Sequence, residues 1–274
     1  MFYLPEDLAK FPEVIFKYIK TQREGKTFIV TLNRPEKRNA FTPAMVDEIA
    51  FTLEYANSKQ SIWCIVIEAE GPVFCAGMDL QVFQNPQLDE RNASLPSPMK
   101  EINLGEAFKN IHKPSIAKIK GDVLAGGFLI IAGCTFVVSS LTANFCLPEV
   151  KRGLFPMQVM GALLQIIPKR KVLEMCILAK NYTAEEALNL GIVTHLADPE
   201  QVDATCKTLV EKILRNSPYA IQKGMEALQV IPSLQDNEQY SYLLDQLKLI
   251  KCSEDAKEGI EAFKEKRSPA WKNK

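Results

Sequence analysis

Histidine is nearly absent from this chain, with two among 274 residues. Catalytic devices of the Ser-His-Asp or Cys-His kind need one of them well placed. His112 precedes Lys113-Pro114 in a turn, and His195 is expected to end a strand over residues 191–194, so both read as structural or exposed. Excess charge is absent too: 33 Lys and Arg balance 33 Asp and Glu. A broad surface for nucleic acid or anionic lipid needs a positive field that this balance does not supply, although a small local anion site remains allowed. No apolar run reaches the roughly 18–20 residues of a membrane span. The longest, Leu124–Val138, is broken by glycines and by Thr135. The seven cysteines are odd in number and form no C-x-x-C pair, which points away from a disulfide framework and a zinc ribbon. Most sit as Cys64 does in Ile62-Trp63-Cys64-Ile65-Val66, where small buried thiols of a reduced protein are expected. Clusters of His, Cys and Asp at metal-ligand spacing are missing, so no metal is expected. The first residues carry acids and prolines where a secretory leader needs a basic start and an apolar core, and Trp271-Lys272-Asn273-Lys274 is not a peroxisomal address. A cytoplasmic protein is the expectation.

What is present is a globular composition, 47% hydrophobic, with length enough for one large domain or two small ones. Strand and helix signals alternate through the first half. Phe16–Ile19 and Phe28–Leu32 flank the turn residues Arg23-Glu24-Gly25-Lys26 as a hairpin would. Thr42-Pro43 is a helix start, since the hydroxyl can cap and proline suits the first helical position, and Met45, Ile49 and Leu53 make an apolar stripe behind it. Ile62–Ile67 has the near-continuous apolarity of a buried parallel strand. Ser115–Lys120 and Phe136–Ser139 are strand-like and enclose a glycine-led helix. From about Met157 the signals turn helical: 169–179, 184–190, 202–215, 219–228, 240–250 and 254–264. Strands alternating with helices predict an α/β core on a parallel or mixed sheet, followed by a helical C-terminal region. Gln84–Met99, rich in proline, asparagine, glutamine and serine, has the composition of a mobile loop.

Two segments could carry chemistry. Phe74-Cys75-Ala76-Gly77-Met78-Asp79-Leu80 follows the buried strand, and strand ends with glycine are where backbone N–H groups leave a sheet to face a ligand. Gly121-Asp122-Val123-Leu124-Ala125-Gly126-Gly127 opens the hydrophobic helix, whose first N–H groups lack intrahelical partners. Two such donors converging on one oxygen would form an oxyanion hole. A Gly-Gly pair alone is more often a tight turn, and neither segment matches G-x-G-x-x-G or a P-loop.

Taken with their surroundings, these segments resemble the crotonase superfamily, the enoyl-CoA hydratases and isomerases. The blocks that carry the resemblance are Asn33–Ala40, Phe74–Leu80, His112-Lys113-Pro114 with Gly121–Gly127, and Leu147-Pro148-Glu149-Val150 with Gly153. Thr183–Ala187 with Gly191-Ile192-Val193, Asn216-Ser217-Pro218, Glu258-Gly259 and Ala262–Pro269 follow in order. The resemblance implies a crotonase (ClpP-like) α/β fold: a repeated ββα core with the acyl-CoA site over residues 1–200, and a C-terminal helical region over 201–274 that serves trimerisation, as a trimer or a dimer of trimers, and CoA contact.

By the same resemblance, the thioester carbonyl of an acyl-CoA sits between the backbone N–H groups of Met78 and Gly126. CoA is then part of the substrate and no separate cofactor is implied. Family hydratases use two glutamates. The second falls on Glu149; the first falls on Leu129, and leucine can neither activate water nor deliver a proton. Isomerases of the superfamily share this pattern, so Δ3-Δ2-enoyl-CoA isomerisation with Glu149 as sole acid/base is the first expectation. A hydratase or hydratase-lyase using one glutamate is the alternative, and an inactive acyl-CoA-binding relative is the alternative of another class. An acyl-carrier-protein thioester could replace CoA as partner. Lys37 and Arg38 resemble the segment that meets the CoA phosphates, while Phe263 and Lys266 resemble residues that reach the nucleotide from a neighbouring subunit. Ala40, Ala76, Gly77, Asp79, Leu80, Leu124, Gly127 and Leu129 complete the expected binding segments, and Gln84–Met99 the loop bounding the acyl pocket. Thr135, where many relatives carry Asp, reads as structural. RNA binding through a lysine-rich first helix, known in some relatives, is not expected, because that helix carries Asp47, Glu48 and Glu54.

Overall fold

The computed structural model describes residues 1–274. After a short helix α1 (Pro5–Ala9) come β1 (Ile19–Glu24) and β2 (Thr27–Leu32), paired antiparallel from Ile19–Leu32 to Glu24–Thr27 around Gly25-Lys26. The first strand therefore lies a few residues later than Phe16–Ile19 would put it. Its residues are mostly exposed because β1 is an edge strand, so apolar content is a poor guide to its bounds. Thr42 caps α2 (Pro43–Ser58) by accepting the Met45 N–H at 3.3 Å, with Pro43 at the first position.

A unit of two strands and a helix then recurs: β3 (Cys64–Ala69), β4 (Val73–Cys75) and α3 (Leu80–Gln84). After α4 (Leu104–Lys109) it returns as β5 (Ser115–Ile119), β6 (Asp122–Leu124) and α5 (Phe128–Gly133). It returns again as β7 (Phe136–Ser140), β8 (Asn144–Cys146) and α6 (Met157–Leu163). In each unit the first strand joins a six-stranded sheet, ordered β1-β2-β3-β5-β7-β10, and the second joins a four-stranded sheet, ordered β4-β6-β8-β9. The remaining elements are α7 (Lys169–Leu178), β9 (Tyr182–Thr183), α8 (Ala184–Leu190), β10 (His195–Ala197), α9 (Val202–Leu214), α10 (Pro218–Val230), α11 (Asp236–Lys251) and α12 (Glu254–Glu265). His195 opens a strand rather than ending one.

From β2 to β10 the large sheet is parallel. Along β3 successive side chains face opposite ways: Ile65 and Ile67 enter the principal core, whereas Cys64 and Val66 meet Val202, Cys206 and Ile213 of α9. Burial on both faces explains the unbroken apolar run. Thr135 is structural: its backbone N–H donates to Ser115 Oγ and its hydroxyl accepts the Ser115 N–H, each at 3.1 Å, joining the starts of β5 and β7. No helix is long and apolar enough to cross a membrane.

The loop over Gln84–Met99 is not loose. Leu95 and Asn92 are buried, and Asn92 Nδ2 donates to Glu48 of α2 at 2.6 Å and to the Ile15 carbonyl at 2.8 Å. Asp89 accepts the Ala44 N–H at 2.8 Å, and Met99 N–H donates to the Phe2 carbonyl at 2.8 Å. Its composition describes its surface, while two buried side chains decide its rigidity.

Candidate active site

Strands β4, β6 and β8 are adjacent and parallel, with Cys75 opposite Val123 and Leu124 opposite Cys146. The chain leaves them at one edge, into Ala76-Gly77-Met78, Ala125-Gly126 and Leu147-Pro148-Glu149. Neighbouring strands are about 4.8 Å apart, so the three exits fall within about 10 Å. Carboxyl ends of parallel strands are where α/β sheets bind ligands.

The first exit is held by a bridge between Phe41 and Met78. Phe41 donates its N–H to the Gly77 carbonyl at 2.8 Å and accepts the Asp79 N–H at 3.0 Å. Because both bonds go to the neighbours of Met78, its own N–H points away from Phe41, and no partner takes it within the chain. Met78 is 46% exposed. The second exit is a 3₁₀ turn, Ala125–Gly127, leading into α5, and the first N–H groups of such a turn have no helical partner. The two segments touch. A Cβ on Gly77, whose φ is +85°, would lie 2.7 Å from Gly126 N and from Ala125 Cβ. A Cβ on Gly126 would lie 2.6 Å from Phe41 Cζ. Ala125 is itself left-handed, at φ 50°, a conformation costing roughly 1–3 kcal/mol where the surroundings enforce it.

The third exit bears the carboxylate. Glu149 begins a 3₁₀ turn closed by left-handed Gly153, and its Oε2 is buried with no hydrogen-bond partner. Burial pushes this carboxyl above the usual glutamate range, against a smaller opposing pull from its own backbone N–H and from Arg152. Leu129, in the first turn of α5, is 4% exposed and belongs to the principal core. The position that could hold a second carboxylate is filled by a packed aliphatic side chain.

The remaining expected residues separate into groups. Lys37 and Arg38 are exposed on the turn beside the first exit, where Arg38 accepts the Ala76 N–H at 3.0 Å and Lys37 Nζ donates to Gln81 Oε1 at 3.3 Å. Ala40 and Gly127 are buried, Leu80 is exposed, and Leu124 is the last residue of β6. Asp79 differs from a binding group: its carboxylate is spent on Arg34 Nη1, at 2.8 Å, and on the Gln81 and Val82 N–H groups that begin α3. Burial alone would raise its pKa, but these partners hold it below the usual carboxylate range. Phe263 and Lys266 are exposed on α12 and its left-handed cap, with no side-chain bond to the site within the chain. His112 lines a separate cavity of about 270 Å³ with Leu8, Glu54 and Asn57, and His195 Nδ1 lies 2.8 Å from Thr194 Oγ1. Neither histidine lies in the three segments that leave β4, β6 and β8.

Sequence reasoning assigned no role to Arg34, Asn39 or Phe41. Arg34 also donates to the Ala40 carbonyl at 2.7 Å. Asn39, fully buried and left-handed, accepts the Arg34 N–H and donates to the Glu70 and Val73 carbonyls, all at 2.8 Å. Asparagine's tolerance of positive φ was the only local signal for it.

The architecture is a crotonase fold, with two glycine-bearing turns and a buried, unpartnered carboxylate at one edge of its parallel strands. The chain belongs to the enoyl-CoA hydratase/isomerase family, whose model matches residues 22–274. It is similar to enoyl-CoA hydratase EchA19 of Mycobacterium tuberculosis, 31% identical over 92% of this chain and 96% of that one. It is also similar to mevalonyl-coenzyme A hydratase sidH of Aspergillus fumigatus, 32% identical over 89% and 90% of the two chains. A solved structure of a probable enoyl-CoA hydratase/isomerase from Mycobacterium abscessus superposes with a TM-score of 0.81, at 32% identity, over 95% of this chain and all of that one.

Proposed function

We propose that the protein isomerises a 3-enoyl-CoA to the 2-enoyl-CoA, with Glu149 as its only acid/base. The observation that carries this reading is the buried, unpartnered Oε2 of Glu149, together with a buried leucine at position 129. Glu149 removes a proton from C2. The C2–H electron pair becomes a dienolate whose charge collects on the thioester oxygen, between the Met78 and Gly126 N–H groups. The same carboxyl then returns the proton at C4, and the double bond has moved from C3–C4 to C2–C3 with no water consumed. A hole donor is worth about 10²–10³ in rate, so the two N–H groups carry much of the stabilisation. Lys37 and Arg38 meet the CoA phosphates, and a neighbouring copy in a trimer supplies Phe263 and Lys266.

Hydration is the second reading, favoured by the hydratase names of the relatives above. It requires Glu149 alone to activate water. To decide, the protein is incubated separately with a 3-enoyl-CoA and a 2-enoyl-CoA and products are followed by mass. A shifted double bond without mass gain is the expected result. A gain of one water from the 2-enoyl substrate overturns it in favour of hydration, and no turnover with retained binding favours an inactive acyl-CoA binder. Glu149→Gln is expected to abolish turnover while leaving CoA affinity within about threefold; retained turnover removes Glu149 from its role.

A further inference from the structure

The mechanism leaves two buried thiols unused at the strand ends, Cys75 and Cys146, and Cys75 is the one bonded to the segment of Met78. Cys75 is the last residue of β4 and is wholly buried. Its Sγ lies 3.2 Å from the Asn39 carbonyl oxygen and 3.4 Å from the Gly77 nitrogen. The thiol donates to the first and accepts from the second. Cys75 is also close to the second exit: a Cβ on Gly127 would meet Cys75 O at 2.9 Å and Cys75 Cβ at 3.1 Å.

We propose that Cys75 is a positioning residue of the oxyanion hole, its thiol joining the Asn39 turn to the Gly77 amide and so setting the direction of the Met78 N–H. This rests on the reading that Met78 and Gly126 hold a thioester oxygen. Gly77 has φ +85° and no side chain to fix its peptide plane, so the bond to sulfur restrains the amide just before the Met78 donor. The Asn39 carbonyl belongs to a buried residue already locked by Arg34, Glu70 and Val73, which gives the thiol a rigid anchor. Gly127 follows the second donor directly, so Cys75 bonds to the segment of Met78 through its thiol while its carbonyl and Cβ lie close to the segment of Gly126. Burial pushes the Cys75 thiol up to about 12, which keeps its proton available for donation throughout the neutral range. A cysteine serving only as a small hydrophobe would make the opposite demand, since a buried hydroxyl in its place would then cost more than a methyl.

The contrast between Cys75→Ala and Cys75→Ser therefore tests it. Three quantities are read: kcat and KM; affinity for hexanoyl-CoA and for S-hexyl-CoA, the thioether without a carbonyl; and the C=O stretching frequency of bound ¹³C-carbonyl hexanoyl-CoA. The expected result for Cys75→Ala is kcat lowered about 10- to 100-fold, as misplacement of a reacting group commonly costs. Thioether affinity should stay unchanged, and the downward carbonyl shift seen in the unmodified protein should be largely lost. Cys75→Ser is expected to restore most of the shift and of kcat. Equal loss of thioether and thioester affinity in Cys75→Ala would make the residue merely structural and overturn the proposal. So would an alanine variant that keeps the full carbonyl shift, or a serine variant worse than alanine. If the unmodified protein binds hexanoyl-CoA without any carbonyl shift, the hole itself is refuted and the proposal falls with it. Absence of turnover with the shift intact refutes only the isomerase reading.

Discussion

At Glu149 the cost and the use of burial meet in one group. An unpartnered buried carboxylate opposes folding when ionised, and in the proposed reaction it is the ionised form that removes a proton. Its folded pKa is raised, so the native state favours the protonated form; that contribution to stability is full at low pH and is lost as pH rises through the folded value. Activity runs the other way. The acid limb of kcat/KM is expected above the usual glutamate range, and Glu149→Gln is expected to be at least as stable as the parent at neutral pH. A pH–rate profile and denaturant midpoints measured between acid and neutral pH check both; an acid limb at the ordinary glutamate value would refute the burial argument. The glutamate's candidacy was legible from its place after Leu147-Pro148. Its loss of a hydrogen-bond partner was not, because that depends on what β8 and α7 bring around it.

At the scale of elements, three strand ends do what no single motif does. Each carries a residue of the proposed site two or three positions beyond its last paired residue, and parallel pairing of β4, β6 and β8 brings those segments to one edge. The glycines could be assigned from the sequence, since backbone donors near strand ends need them. The clamps behind them could not: Phe41, Asn39 and Arg34, which pairs with Asp79, come from a turn more than thirty residues upstream of Met78. The loop over Gln84–Met99 teaches the same lesson, for Glu48 anchors it from within α2 and also accepts the Lys17 and Tyr18 N–H groups, at 2.8 and 2.9 Å. Asn92→Ala is expected to lower stability by about 2 kcal/mol, the scale of a lost hydrogen bond to a buried charge. It should also open this loop to limited proteolysis, which leaves the parent intact there. An unchanged denaturation midpoint with no new cleavage would show that the Asn92–Glu48 bond does not hold the loop.

Across the whole molecule, the C-terminal helices are fastened by buried charge as well as apolar contact. Asp255, 1% exposed, accepts the Ser217 hydroxyl at 2.8 Å and the Tyr219, Lys272 and Asn273 N–H groups at 3.4, 2.8 and 3.1 Å. It thereby joins the start of α10, the first turn of α12 and the chain's last residues. Asp255→Ala leaves those donors without their acceptor and is expected to cost about 3 kcal/mol, read from denaturant unfolding. Hydrogen exchange at the Lys272 and Asn273 amides should quicken with it; unchanged protection there would show that the tail is held by other contacts.

Composition and pattern by themselves determined which chemistry was open to this protein. With two histidines, neither beside a glycine-rich strand end, histidine-based nucleophilic devices were left out, and a balanced charge confined any expected anion binding to a few residues. Local pattern also determined the buried parallel strands and the capped helices, because burial on both faces and an orphan first-turn N–H each demand particular residue types nearby. The recurrence of the ββα unit was decided only in three dimensions. Its copies share no visible sequence period, since each strand meets different neighbours and only the division between two sheets repeats. Tertiary structure alone likewise decided that the chain segments bearing Met78, Gly126 and Glu149 leave adjacent parallel strands, and that Phe41 bridges the first of them. Hydrogen-bond and packing partners distant in sequence are chosen by sheet order and register, which no local run of residues encodes.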